Sequence, residues 1–211
     1  MGEIVICKGK NITTDISVVL KMLHCTKDNP NYEEICDIYE EQTPIVLDII
    51  RPRGAFTEGK LKEKGANSDL PIGRDIIYSI ITLGDEIVDY ITKTSKEDIL
   101  VGMVVDYMAD SALFSFGQEL AESMIGYCKA RGLGIRQGYE APNLISMLTQ
   151  KDACEALEAE KNLGVTLTDG YMLRPLKSNG TLYTITDDPA KFNLKHDCGS
   201  CPNKDCPMRM K

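Results

Sequence analysis

Apolar residues recur at helical spacing over most of this chain and at strand spacing in only a few places. Ile4, Val5 and Ile6 make a short β-like run from Glu3 to Cys7. Ile16, Val19, Leu20 and Leu23 then repeat every three to four positions, which predicts a helix to about Cys25, capped by Thr13 or Thr14. Asn29-Pro30-Asn31 breaks the chain. Ile35, Ile38, Tyr39 and Ile45 to Leu47 predict helix again from Tyr32 to about Ile50, with a kink or a division at Pro44. Arg51 to Gly54 reads as a turn, and residues 53–74 are Gly- and Lys-rich and weakly patterned, ending in a loop near Asn67-Ser68-Asp69. Ile76 to Leu83 is the clearest strand, and its continuous apolar run predicts a central strand covered on both faces.

A helix is expected to begin at Gly84-Asp85-Glu86. Ser95 with Asp98 has the spacing of a capping box. The stripe of Leu100, Val104, Met108, Phe116, Leu120, Met124 and Tyr127 predicts a long helix to about Arg131, closed by a left-handed Gly132. Thr149 with Asp152 predicts the cap of a further helix, ended by Gly164; Val165–Thr168 and Thr181–Ile185 are β-like. There is no internal repeat and no regular βαβ rhythm, so the expected class is α+β.

Length and charge narrow the picture. With 211 residues the chain fits one domain over residues 1–192 and a Cys-rich tail over 193–211. A chain of this size buries roughly 70% of its unfolded surface and needs no disulfides for its core. Thirty-two Asp and Glu against 24 Lys and Arg give a net charge of -8, which argues against nucleic acid as a partner. No apolar run reaches the ~20 residues of a bilayer span, so no membrane association is expected. The first residues lack the charged and apolar regions of a signal peptide, so the expected location is cytoplasmic.

The candidate chemistry lies in two places. Of eight cysteines, Cys7, Cys25, Cys36, Cys128 and Cys154 are scattered among apolar residues and read as core fillers. Cys198, Cys201 and Cys206 instead cluster on a short Gly- and Pro-bearing segment, where three thiolates can converge on one metal. A 4Fe–4S cluster, although the spacing is not that of ferredoxin-type runs, a zinc ion completed by His196 or a distant Cys, and a reduced metal-free tail are all open. The second place is Gly134-Ile135-Arg136-Gln137-Gly138-Tyr139, which reads as a glycine turn. A guanidinium there matches a carboxylate with two parallel hydrogen bonds, and a tyrosine can cover a flat ring. Gly134 and Gly138 would let backbone approach a ligand. Glu122, one turn after Glu119, could meet an amino group or a sulfonium. Asp106 and Asp110 read as surface charge, and His24 as a packed residue on an apolar helix.

Residues of about 110–192 resemble the activation domain of cobalamin-dependent methionine synthase. The resemblance runs through Leu120-Ala121-Glu122, Gly134-Ile135-Arg136, Gly138-Tyr139, Leu157 to Lys161, Gly164 to Thr168, Met172, Pro175, Ser178, Gly180 and Phe192, in the same order and at nearly the same spacings. Thr82-Leu83-Gly84 and the acidic helix after it are similar to stand-alone relatives of that domain. The tail is not part of the parent domain.

The resemblance implies a twisted antiparallel sheet flanked by helices. It implies S-adenosylmethionine as ligand and a corrinoid protein or cobalamin-dependent methyltransferase as partner. An external electron donor would take part in the reductive remethylation of cob(II)alamin. By position, Arg136 would bind the methionine carboxylate, Tyr139 would lie near the sulfonium, and Glu122 would face the charged end. Gly138 and Phe192 complete the set, although the family has a tyrosine at the position of Phe192. The family's turn between arginine and tyrosine is two residues longer. An alternative role is a cobalamin- or cluster-binding module without methyl transfer, and a third is a small iron–sulfur carrier.

Overall fold

Ile76 to Leu83 is the centre of the fold. A computed structural model describes residues 2–62, 70–142, 144–194, 199 and 204–206, and in it this segment is β3 (Asp75–Thr82). All seven residues from Ile76 to Thr82 are buried. The cause is that apolar side chains alternate between two separate cores. Ile77 and Ile81 belong to one, while Ile76, Tyr78 and Ile80 belong to the other. Each fully buried side chain of this kind contributes about 1.5–3 kcal/mol.

β3 pairs antiparallel with β2 (Arg53–Lys60) and with β7 (Ser178–Thr186). The sheet is completed by β1 (Val5–Lys8) beside β2 and β4 (Gly134–Glu140) beside β7, so β1 and β4 are its edges. The segment beginning at Arg53 is therefore a strand and not the expected turn and loop. Its pattern was faint because Gly54, Ala55, Thr57 and Gly59 carry little apolar bulk, yet four consecutive residues from Gly54 are buried. β5 (Thr166–Leu167) and β6 (Leu173–Arg174) form a separate small hairpin.

One face of the sheet is covered by α1 (Ile16–Met22), α2 (Tyr32–Ile49), α3 (Glu86–Glu97) and α4 (Ile99–Lys129). The other is covered by α5 (Leu148–Leu157) and α6 (Ala159–Leu163). α4 is long and apolar enough to cross a bilayer by length and composition, but half of its most apolar window is buried within this fold. Its apolarity is that of a central core helix.

The caps differ from those expected, and for local reasons. Asp15, not Thr13 or Thr14, caps α1 by accepting the Ser17 N–H at 2.8 Å. Thr13 is instead tied to Ser115 of α4. Asp98 is itself the N-cap of α4, accepting from Leu100 and Val101, so the chain turns sharply between α3 and α4. Thr149 and Asp152 lie inside α5 and are buried. That helical stretch is split at Glu158, which takes a left-handed conformation. Pro44 is contained within an uninterrupted α2. Gly132 is left-handed as expected, and Gly164, which ends α6 as expected, is left-handed too.

Candidate functional site

Gly134–Glu140 forms an edge strand and not a glycine turn. Its ladder with β7 runs Gly134 to Thr186 and Ile135 to Ile185, then resumes with Gln137 opposite Thr184. Arg136 is the extra residue of a β-bulge, the one position of this strand without a partner across the ladder. Ile135 enters the helix-side core, and Tyr139 packs on the opposite one. The bulge reverses which side alternate residues take, and it leaves Arg136 exposed. Among the described residues, the Arg136 guanidinium has no hydrogen bond or ion pair with protein.

The C-terminal segment closes on the same strand. Ile135 donates its N–H to the Lys191 carbonyl at 2.8 Å, and Asn193 donates to the Ile135 carbonyl at 2.9 Å. Phe192 forms a parallel bridge with Ile135, and its ring lies 5.4 Å from the Lys129 Nζ at the end of α4. Gly134 is required at this closure, because a Cβ there would collide with the carbonyl oxygens of Asp188 and Lys191. Gly138 answers a different need: its missing side chain leaves room for the Tyr183 ring, which a Cβ would approach to 2.9 Å. Both glycines thus serve packing. Tyr183 is partly buried there, and desolvation of its hydroxyl pushes it up to about 12.

The structure therefore brings Arg136 and Phe192 together around Ile135. Glu122 is exposed on α4, the helix whose last turns cover this end of the sheet. Gly138 and Tyr139 lie further along the strand, with the Tyr139 side chain on the face covered by α5 and α6. Glu122 and Tyr139 stand on elements at opposite faces. Glu119, one turn before Glu122, accepts the backbone N–H groups of Lys10 and Asn11 at 3.0 and 2.7 Å and so anchors the loop after β1. His24 is exposed at the end of α1 with φ of 50°, and is not packed.

Asp106 and Asp110 are not solvated surface charge. Lys177, 9% exposed, places its Nζ 2.9 Å from Asp106 and 2.7 Å from Asp110. Burial raises the Asp110 carboxyl above its usual range, the nearby Lys177 ammonium opposes this, and Asp106 adds to it. This ion triad fixes the turn that leads from β6 into β7 against α4. Sequence spacing showed the two aspartates one turn apart, but nothing local linked them to a lysine 67 positions away from Asp110. Also unread in the sequence were exposed apolar side chains nearby: Leu176, 61% exposed, beside Lys177, and Phe114, 46% exposed, one turn past Asp110.

Of the tail ligands, Cys206 is a half-buried free thiol, while Cys198 and Cys201 lie outside the described residues. Among the described residues no group of three His, Cys, Asp or Glu side chains could hold a metal.

No protein-family model matches this chain, and no curated protein matches it. Among solved structures, it is similar to the crystal structure of the MetH reactivation domain bound to AdoHcy, with a TM-score of 0.62 and 13% sequence identity. The match covers 86% of this chain and 78% of that one. At that identity the likeness is one of fold: an α+β arrangement with an antiparallel sheet flanked by helices.

Proposed function

We propose that this protein is a stand-alone reactivation factor for a corrinoid-dependent methyltransferase, binding S-adenosylmethionine at the Arg136 edge of the sheet. The observation that carries the reading is the bulge. It lifts one arginine out of the ladder of an edge strand, with no protein partner for its guanidinium among the described residues. The fold in which this occurs is shared with a domain solved with AdoHcy bound. An uncommitted guanidinium can take the carboxylate of a small zwitterion with two parallel hydrogen bonds.

In this reading Arg136 holds the methionine carboxylate, Phe192 and the backbone around Gly138 line the ligand, Tyr139 flanks it further along the strand, and Glu122 faces its positive end. The exposed Leu176 and Phe114 offer an apolar surface for a partner carrying a planar macrocycle. One electron would convert cob(II)alamin to cob(I)alamin. The cobalt lone pair would then take the sulfonium methyl as the carbon–sulfur bond breaks, leaving S-adenosylhomocysteine. The thiols of Cys198, Cys201 and Cys206 would hold a metal centre, as an iron–sulfur cluster in preference to zinc.

Titration calorimetry tests the ligand site. The wild type should bind S-adenosylmethionine, and Arg136→Gln should weaken binding by about 10- to 150-fold, the equivalent of one charge-assisted hydrogen-bonded contact. No heat from the wild type at millimolar ligand would refute the site. A second reading, a cobalamin-binding module without methyl transfer, is favoured by Tyr139 packing on the face away from α4 and by the missing hydroxyl at Phe192. Binding of cobalamin together with silence toward S-adenosylmethionine would select it.

A further inference from the structure

We infer that Lys129 is a second anchor for the ligand's carboxylate at the Arg136 site, its ammonium resting on the Phe192 ring until an anion takes it. The inference rests on the reactivation reading and adds to it a residue that selects the ligand: a small zwitterion with a free carboxylate.

Three observations carry it. First, two cations from different elements meet at one end of the sheet. Arg136 is the bulged residue of β4, and its neighbour Ile135 is bridged to Phe192. The Lys129 Nζ, on the last turn of α4, lies 5.4 Å from the centre of the Phe192 ring, within reach of a cation–π contact. Second, neither cation has an ion pair among the described residues. The helix itself denies Lys129 a partner, because the positions three and four before it are Gly126 and Ile125, where a carboxylate would have to stand. Arg131, two residues on, is the contrast: its guanidinium stacks 3.6 Å from the Tyr127 ring centre and lies 3.9 Å from Glu3 and 3.6 Å from Glu58. Third, Glu122 precedes Lys129 by seven positions, close to two helical turns. The two therefore share one face of α4, about 10 Å apart along its axis. That face presents a negative group and then a positive one, the complement of a zwitterion.

The chemistry favours a shared carboxylate. Two like charges without a counter-ion repel each other, and an anion between them replaces that repulsion with two attractions. A guanidinium that takes both carboxylate oxygens uses one lone pair of each, so a second lone pair on each remains for an ammonium. Lysine suits this second place, because its flexible four-carbon stem lets the ammonium swing from the ring to an incoming anion. The Phe192 ring keeps the ammonium close to the site in the free protein, which lowers the cost of ordering it on binding. A lysine on the last turn of a helix also opposes the negative end of the helix dipole. That role acts on stability alone and is indifferent to ligand, so the two roles separate in a binding experiment.

The test is calorimetric titration of the full chain with S-adenosylmethionine at about 0.02 M and about 0.5 M salt. At low salt Lys129→Met, which keeps the apolar stem, should weaken binding about three- to fivefold, the share of one exposed ion pair. Lys129→Arg should restore most of that affinity, because arginine carries the same charge and also stacks on an aromatic ring. High salt should shrink the gap between wild type and Lys129→Met. Equal affinities of those two proteins at low salt overturn the anchor. So does a loss that Lys129→Arg fails to restore, or one that high salt leaves undiminished, since either belongs to packing and not to charge. Each of these results leaves the reactivation reading standing. No heat from the wild type at millimolar ligand sinks that reading, and the anchor with it.

Discussion

At the scale of single residues, the decisive contacts join positions far apart in sequence. Lys177 illustrates this. Alone in the sequence it is a lysine in a turn; in the fold it is almost fully buried and shared by two carboxylates of α4. Removing its charge leaves Asp106 and Asp110 facing each other with desolvation uncompensated. Lys177→Met should therefore cost about 2–3 kcal/mol, less than the loss from a wholly buried pair because Asp106 is partly exposed. Urea unfolding followed by circular dichroism measures this, and an unchanged midpoint would mean the triad is idle. Arg136 is the reverse case. Its type and its neighbours were legible in the sequence as a carboxylate-binding candidate, and the structure left it exposed and uncommitted. Phe192 was legible only as an aromatic; its bridge to Ile135 depends on the chain folding back over β4.

At the scale of elements, strong periodicity translated directly and weak periodicity did not. β3 and α4 are recognisable because their apolar positions are numerous and regular. β2 is obscure because it is built from small residues that are buried by their neighbours. In sequence the stretch of β4 reads as a turn, since glycines at positions 134 and 138 suggest a chain reversal. In the fold each glycine instead makes room, one for two carbonyl oxygens and one for the Tyr183 ring. The bulge yields a prediction of its own. Ile135 and Gln137 face successive residues of β7, Ile185 and Thr184, so deleting Arg136 would restore a regular ladder with every other side chain on its present face. The deletion should change stability by about 1 kcal/mol or less and abolish S-adenosylmethionine binding. Loss of the fold on deletion would show that the bulge is a structural requirement and not a device for presenting an arginine.

At the scale of the whole molecule, two cores meet through one sheet, and each holds a tyrosine whose hydroxyl is shielded from water. Burial, with a contribution from Asp152, raises the Tyr78 hydroxyl to about 12; burial, with a contribution from Glu140, does the same for Tyr183. Tyr78 belongs to one core and Tyr183 packs against the other. In the unfolded chain both would ionise near their ordinary value of about 10. The folded state thus holds protons that the unfolded state releases. The associated stability is complete below about pH 10 and is lost as pH rises toward 12. Denaturant midpoints should be level from pH 8 to about 9.5 and fall steeply above about 10, and phenolate absorbance should appear together with unfolding. Tyr78→Phe and Tyr183→Phe together should flatten that fall.

What the sequence determined by itself was the set of elements with strong local codes: the central strand, the long core helix and the left-handed Gly132. These follow from periodicity, backbone sterics and side-chain chemistry, all of which act over a few residues. Only the tertiary structure decided that β4 is an edge, that Arg136 stands out from it as a bulge, and that residues 191–193 fold back onto its neighbour Ile135. It also decided that two aspartates on one helix close around a lysine from another element. Those outcomes depend on strand order and register, which are set by the packing of both sheet faces at once and leave no mark in any short stretch of sequence.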